Sequence, residues 1–208
     1  METGVGKILV TGFEPWGEWT RNPSGEVARS LEGHKVGGML VVTGIVPVVH
    51  GEDIGKVGPL IDEHNPSAIL SLGLGESSML NVERVAVNLK EIDSEDETLD
   101  LPVVEGGPAA YLATLPTRAM VEAIRGQGVP ARLSYSAGIF LCNHLMYNVL
   151  HYIGARKQDA IAGFIHIPPM PEQVANTDRA SMTVDTVRLG VVAALETIVT
   201  HLRNTSTA

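Results

Sequence analysis

The sequence predicts an α/β fold on a mostly parallel central sheet, in a single domain over residues 1–208, and three observations carry that expectation. Continuous apolar runs recur at residues 7–11, 68–72 and 161–167, as in strands buried on both faces of a parallel sheet. Stretches with apolar residues at helical spacing lie between them; Ile54, Val57, Leu60 and Ile61 share one side of such a stretch. No repeat, linker or shift in composition breaks the alternation, so one core is expected rather than two.

The elements follow in order. After the first strand comes a loop with Phe13, Trp16 and Trp19 in seven positions, in a chain that is only 4% aromatic. Aromatic loops at the carboxyl end of a first strand wall ligand sites in open α/β sheets; a plug of rings folded onto the core is the other reading. Asn22-Pro23-Ser24 reads as a helix start, continued to Leu31. A second strand spans Met39–Val46 and stops at Pro47, and residues 50–64 form an amphipathic helix with His50 and His64 as solvated caps. The third strand runs into Gly73-Leu74-Gly75; no Lys-Ser/Thr follows, which argues against a phosphate loop. Residues 80–89 read as a partly exposed strand, 91–100 as an acidic surface loop, and 108–126 as a helix. A short strand at 131–135 leads through Ser-Ala-Gly into a helix with Leu141, Leu145, Met146, Val149 and Leu150 at helical spacing. The last strand is broken by Pro168-Pro169. Residues 184–202 close the chain as a long helix, with 204–208 expected as a disordered tail.

Composition narrows the function. The 208 residues are 44% hydrophobic, with 24 acidic against 15 basic side chains and a formal charge of −9. That balance disfavours a nucleic-acid surface or a polybasic membrane patch. One cysteine cannot form an internal disulfide, and the apolar run near the N-terminus is too short for a signal core or a membrane span. A soluble cytoplasmic protein is expected. The histidines show no ligand spacing with the cysteine, so neither a metal nor another cofactor is expected.

That cysteine, Cys142, falls at a turn between a strand and a helix, where unpaired N–H groups and the helix dipole favour a thiolate. It reads either as a nucleophile or as a small buried hydrophobe. Thiol catalysis needs a base, and a third group to hold the base. Among seven histidines, His166 lies at the carboxyl end of an apolar strand, at the sheet edge where the Cys142 helix begins. His34, His151 and His201 read as surface or cap residues, and His144 faces away from the thiol on the same helix. Glu83, flanked by Val82 and Arg84 on a strand, is the carboxylate best placed to fix the imidazole tautomer. Backbone satisfaction of His166 and a plain ion pair for Glu83 are the structural alternatives.

These residues sit in motifs that together resemble one family over nearly the whole chain. Thr11-Gly12-Phe13-Glu14-Pro15-Trp16-Gly17 with Asn22-Pro23, then Glu83-Arg84-Val85-Ala86-Val87-Asn88, then Gly107-Pro108-Ala109-Ala110-Tyr111, stand in order. Gly138-Ile139-Phe140-Leu141-Cys142-Asn143-His144-Leu145-Met146-Tyr147 and Gly163-Phe164-Ile165-His166-Ile167-Pro168 complete the set. The pattern is similar to that of pyroglutamyl peptidase type I, a family of cysteine exopeptidases. The resemblance implies a three-layer α/β/α sandwich, often assembled as a homo-tetramer, that releases pyroglutamate from peptide N-termini through a thioester. It implies Cys142 as nucleophile, His166 as base and then acid, and Glu83 as its orienting partner. Phe13 and Trp16 would sandwich the lactam ring, with Asn22, Phe140 and Leu141 also at the pocket. Asn143 and the backbone at the helix start would serve the oxyanion. Trp16 stands where the family usually has Phe, and the stretch after Asn88 lacks an arginine thought to assist the pocket or the oxyanion. A cysteine amidase of altered specificity, and a non-catalytic binder of lactams or nucleosides, remain as other functions.

Overall fold

Strands form here because each apolar run supplies two faces at once. Along the first strand Ile8 and Val10 point to one side of the sheet and Leu9 to the other, all inaccessible to solvent. The computed structural model describes residues 6–91 and 100–206. The chain passes through β1 (Lys7–Phe13), α1 (Pro23–Ser30), β2 (Lys35–Val36), β3 (Met39–Val46), α2 (Glu52–His64), β4 (Ala68–Leu74), β5 (Leu80–Glu83) and β6 (Val85–Val87). It continues through β7 (Ala110–Leu112), α3 (Thr117–Gly126), β8 (Ala131–Ser134), α4 (Leu141–Ala155), β9 (Ile161–Ile167), α5 (Pro171–Val174) and α6 (Val184–Ser206).

Seven strands make one sheet in the order β2-β3-β1-β4-β9-β5-β8. The pairs β3–β1, β1–β4, β4–β9 and β5–β8 are parallel, and β2–β3 and β5–β9 are antiparallel. Helices α1, α3 and α6 cover one face, where Leu31, Met120 and Val191 join Ile8, Leu70 and Ile165 in one core. Helices α2 and α4 cover the other, where Ile61, Leu145 and Leu150 join Leu9, Ile69 and Phe164. The result is a three-layer α/β/α sandwich with a mostly parallel sheet, as expected.

Several local expectations need correction. Residues 80–89 are not one strand: the sheet strand ends at Glu83, and β6 leaves the sheet to pair with β7 as a separate ribbon. The expected helix at 108–126 begins only at Thr117. Before it the chain is extended, because Thr114 accepts the Ala162 amide on its hydroxyl and donates its own amide to the Ala162 carbonyl, ties that hold residues 113–115 against the start of β9. At the other end of the chain, α6 continues to Ser206, so residues 204–206 are helical where a tail was expected. The acidic stretch read as a surface loop lies mostly outside the described residues.

Candidate active site

The three residues singled out for chemistry come from three different elements: Glu83 from the end of β5, His166 from near the end of the antiparallel β9, and Cys142 from the start of α4. In the antiparallel pair β5–β9, Glu83 stands opposite Phe164 and Asn81 opposite His166, so Glu83 and His166 are diagonal neighbours on one face, within range of long side chains. His166 Nδ1 and Glu83 Oε1 are 2.8 Å apart, with 12% and 1% of the side chains accessible. On the other flank, β4 places Gly73 beside His166. A β-carbon at Gly73 would stand 2.8 Å from the Cys142 sulfur, and one at Gly75 3.0 Å from the β-carbon of His166. The two glycines therefore make the space into which the Cys142 thiol and the imidazole fit. The sequence did not mark them for this role; crowding across strands has no signature along the chain.

Cys142 is the second residue of α4. The chain reaches it through Gly138, whose φ of 75° lies in the left-handed region where only glycine is at ease. The first helical hydrogen bond runs from the His144 amide to the Phe140 carbonyl, 3.0 Å, so the amides of residues 141–143 precede the helical ladder. Burial pulls the His166 pKa down. The charge and hydrogen bond of Cys142, then the hydrogen bond and charge of Glu83, outweigh it and lift the value to about 10. His166 therefore carries its proton at neutral pH.

An apolar pocket of about 140 Å³ opens at the sulfur, lined by Phe13, Trp16, Trp19, Asn22, Val48, Leu74, Phe140, Leu141 and Cys142. A void of roughly 150 Å³ suffices for a benzene ring, so a five-membered ring fits. Phe13 is buried, whereas Trp16 and Phe140 are 56% and 43% exposed and stand 6.3 Å apart between ring centroids at the rim. Trp19, Val48 and Leu74 were not singled out in the sequence. Trp19 was visible as part of the aromatic cluster, but nothing local marks the other two.

Two expected site residues are largely spoken for. Asn22 touches the pocket, but its carboxamide caps α1: Oδ1 accepts from the Ser24 amide and hydroxyl, and Nδ2 donates to the Glu14 carbonyl. The Asn143 side chain is taken up by the backbone at Val87 and Leu89. Its Oδ1 accepts the Val87 amide and its Nδ2 donates to the Val87 and Leu89 carbonyls, all at 2.9 Å. Both of its amide hydrogens are thereby used, so any donation from this residue falls to its backbone. His50 is also not a solvated cap, since its ring packs between Phe140 and His144. Nor is His151 a surface residue: it shares a hydrogen bond with the Tyr111 hydroxyl and stacks on Tyr147. A wider groove of about 550 Å³ beside α3 and α6 holds no thiol. Among the described residues no group of three His, Cys, Asp or Glu side chains could hold a metal ion.

A parallel α/β sandwich with a thiol, an imidazole and a buried carboxylate at its carboxyl edge has the make-up of a cysteine hydrolase. The family model for pyroglutamyl peptidase matches residues 6–201, and the chain belongs to that family. It is 43% identical over 196 residues to a pyrrolidone-carboxylate peptidase of Escherichia fergusonii, covering 91% of each chain. It is 40% identical over 197 residues to that of Cupriavidus necator, again covering 91% of each. Among solved structures, it is similar to the pyroglutamyl peptidase I of Bacillus amyloliquefaciens, with a TM-score of 0.90 and 35% identity over 94% of this chain and 98% of that one. The pyrrolidone carboxyl peptidase of Thermococcus litoralis gives a TM-score of 0.90 at 32% identity, covering 96% of each. Among the described residues no helix is long and apolar enough to cross a membrane.

Proposed function

We propose that this protein removes pyroglutamate from peptide N-termini, with Cys142 as nucleophile, His166 as proton carrier and Glu83 as the group that orients His166. The observation that supports this most is the 2.8 Å contact of Glu83 Oε1 with His166 Nδ1, together with Cys142 as the largest influence raising the pKa of that imidazole. A cationic imidazole beside a thiol favours the thiolate. With His166 already protonated, the base step is complete before substrate arrives. The sulfur attacks the carbonyl that follows the ring, and the negative charge passes to its oxygen. Backbone amides at the mouth of α4 are the donors best placed to hold that oxyanion. As the C–N bond breaks, His166 hands its proton to the departing amine and a thioester remains. Water then attacks the thioester, giving its proton to His166, and free pyroglutamate leaves as the thiolate returns.

The pocket suits this substrate because the lactam ring is neutral. Apolar faces from Phe13, Trp16, Phe140 and Leu141 cover it without a charged partner, while the side chain of an open-chain glutamate would bury an unpaired charge. A chromogenic pyroglutamyl amide tests the reading directly. Freshly reduced wild type is expected to cleave it and Cys142→Ser to lose turnover; no cleavage by wild type, or undiminished cleavage by the variant, defeats the proposal.

The assembly is read as a homo-tetramer working in the cytoplasm. Family resemblance supports the tetramer, as do Leu112 and Tyr135, large apolar side chains 57% and 62% exposed; a reactive thiol without a disulfide partner suits a reducing compartment. Light scattering that gives the mass of a single chain would remove the tetramer from this reading.

A further inference from the structure

Behind Phe140, on the side away from the pocket, lies a second polar cluster that the proposed chemistry does not use. Asp53, in the first turn of α2, is inaccessible to solvent, and its Oδ2 is 2.6 Å from Nδ1 of His144 in the first turn of α4. Asp53 Oδ1 accepts the Ile54 amide, and Asn148 Nδ2 stands 3.2 and 3.3 Å from the two nitrogens of His144. His50 is wedged between this pair and the pocket wall. Its ring meets His144 edge-on at 5.0 Å and 89°, and meets Phe140 at 5.2 Å and 83°. Both nitrogens of His50 are shielded from water and neither makes a hydrogen bond of good geometry, although the Glu91 backbone lies close enough to act on the ring.

We infer that His50 is a positioning residue that holds Phe140 in place as a pocket wall, and that it does so only as the neutral imidazole. Protonation would add a second N–H donor and a charge in a place shielded from water, where Asp53 and the Glu91 backbone offset only part of the cost. The groups that face His50 act in the same sense overall. Burial and the neighbouring His144 lower its pKa from 6.5, Asp53 and the backbone at Glu91 raise it, Lys90 lowers it, and the balance is downward. The wedge therefore stays neutral at neutral pH. In acid the ring gains a proton and seeks water, and Phe140 loses its support. Cys142, His166 and Glu83 are held by other contacts, so the loss falls on ring binding rather than on bond breaking.

This inference rests on the proposed function for its kinetic readout, and the test separates the two. Steady-state parameters for a pyroglutamyl amide are measured from pH 5 to 8 for wild type and for His50→Phe, which keeps a ring but cannot titrate. In wild type KM is expected to rise on acidification by roughly three- to tenfold, the equivalent of one lost aromatic edge contact, beyond any change in kcat. His50→Phe should hold KM level over the same range. A flat wild-type KM, or the same rise in the variant, overturns the inference. Both tryptophans of the chain line the pocket, so their fluorescence reads the wall without turnover. An acid transition with a midpoint below 6.5, present in wild type and lost in His50→Phe, supports the wedge even if no pyroglutamyl amide is cleaved at pH 8, an outcome that would sink only the proposed function. A transition missing from wild type, or kept in the variant, counts against it. His50→Leu takes the same role should His50→Phe not fold.

Discussion

At the residue scale, His166 is the group that sets the pH range of the proposed reaction. Its folded pKa of about 10 stands above the ordinary 6.5. Its contribution to stability is thus complete below about 6.5 and is lost as pH rises through 10. In the proposed mechanism the same proton is the one given to the leaving amine. Activity is therefore expected to fall on the alkaline side near pH 10, read from kcat/KM against pH. Glu83→Gln removes one of the groups that lift the value, so the alkaline limb should move to lower pH. The rate should also drop, by up to ~10⁴, the effect of the matching substitution in a serine triad; an unchanged limb would show that Glu83 does not act through the imidazole. Gly73→Ala adds a carbon 2.6 Å from the Phe164 ring and 2.8 Å from the Cys142 sulfur. Overpacking of this kind costs about 1–3 kcal/mol, and both lower stability in urea and a reduced kcat are expected. Full activity in that variant would mean that the sulfur has room to spare.

At the element scale, α4 carries Cys142, the proposed nucleophile, and is fastened at two points near its start. Asn143 holds it to Val87 and Leu89 beside the ribbon, and His144 holds it to Asp53 on α2. Asn143→Ala leaves buried backbone groups without partners, a loss of about 2–3 kcal/mol, with faster proteolysis near residues 87–91 as the local sign. Asp53→Ala leaves His144 in the interior without its hydrogen-bond partner and is expected to cost about 1–3 kcal/mol in chemical denaturation; no measurable loss would mean that the pair is not what fastens the two helices. Much at this scale was legible in the chain. Strands and helices announced themselves by period, and His166 stood out because a polar residue closes an apolar strand just before two prolines. The ribbon was hidden, since Ala110, Tyr111 and Leu112 fit a helix as well as a strand until Thr114 is seen tied to Ala162. Asn143 and His50 were misread for a related reason: both acquire their partners from segments 50 or more positions away, and no local pattern encodes that.

At the scale of the whole molecule, two cores share one sheet, and the catalytic edge is built from strands that belong to both. Loss of either core should strip the sheet of support on that side. Wild type is expected to unfold in urea in one transition, coincident by tryptophan fluorescence and by far-UV circular dichroism. Separated transitions would show that the layers fail independently. Sheet order was not legible from the sequence, because β5 enters between β8 and β9 against the direction of its neighbour, and strand direction is decided by long-range pairing. That reversal is what brings Glu83 diagonally across from His166.

The thiol that lines the pocket is the only one in the sequence. An alkylating reagent therefore has a single thiol to find, and the mass it adds counts competent sites molecule by molecule. For this protein, the fraction labelled and the fraction active should be the same number.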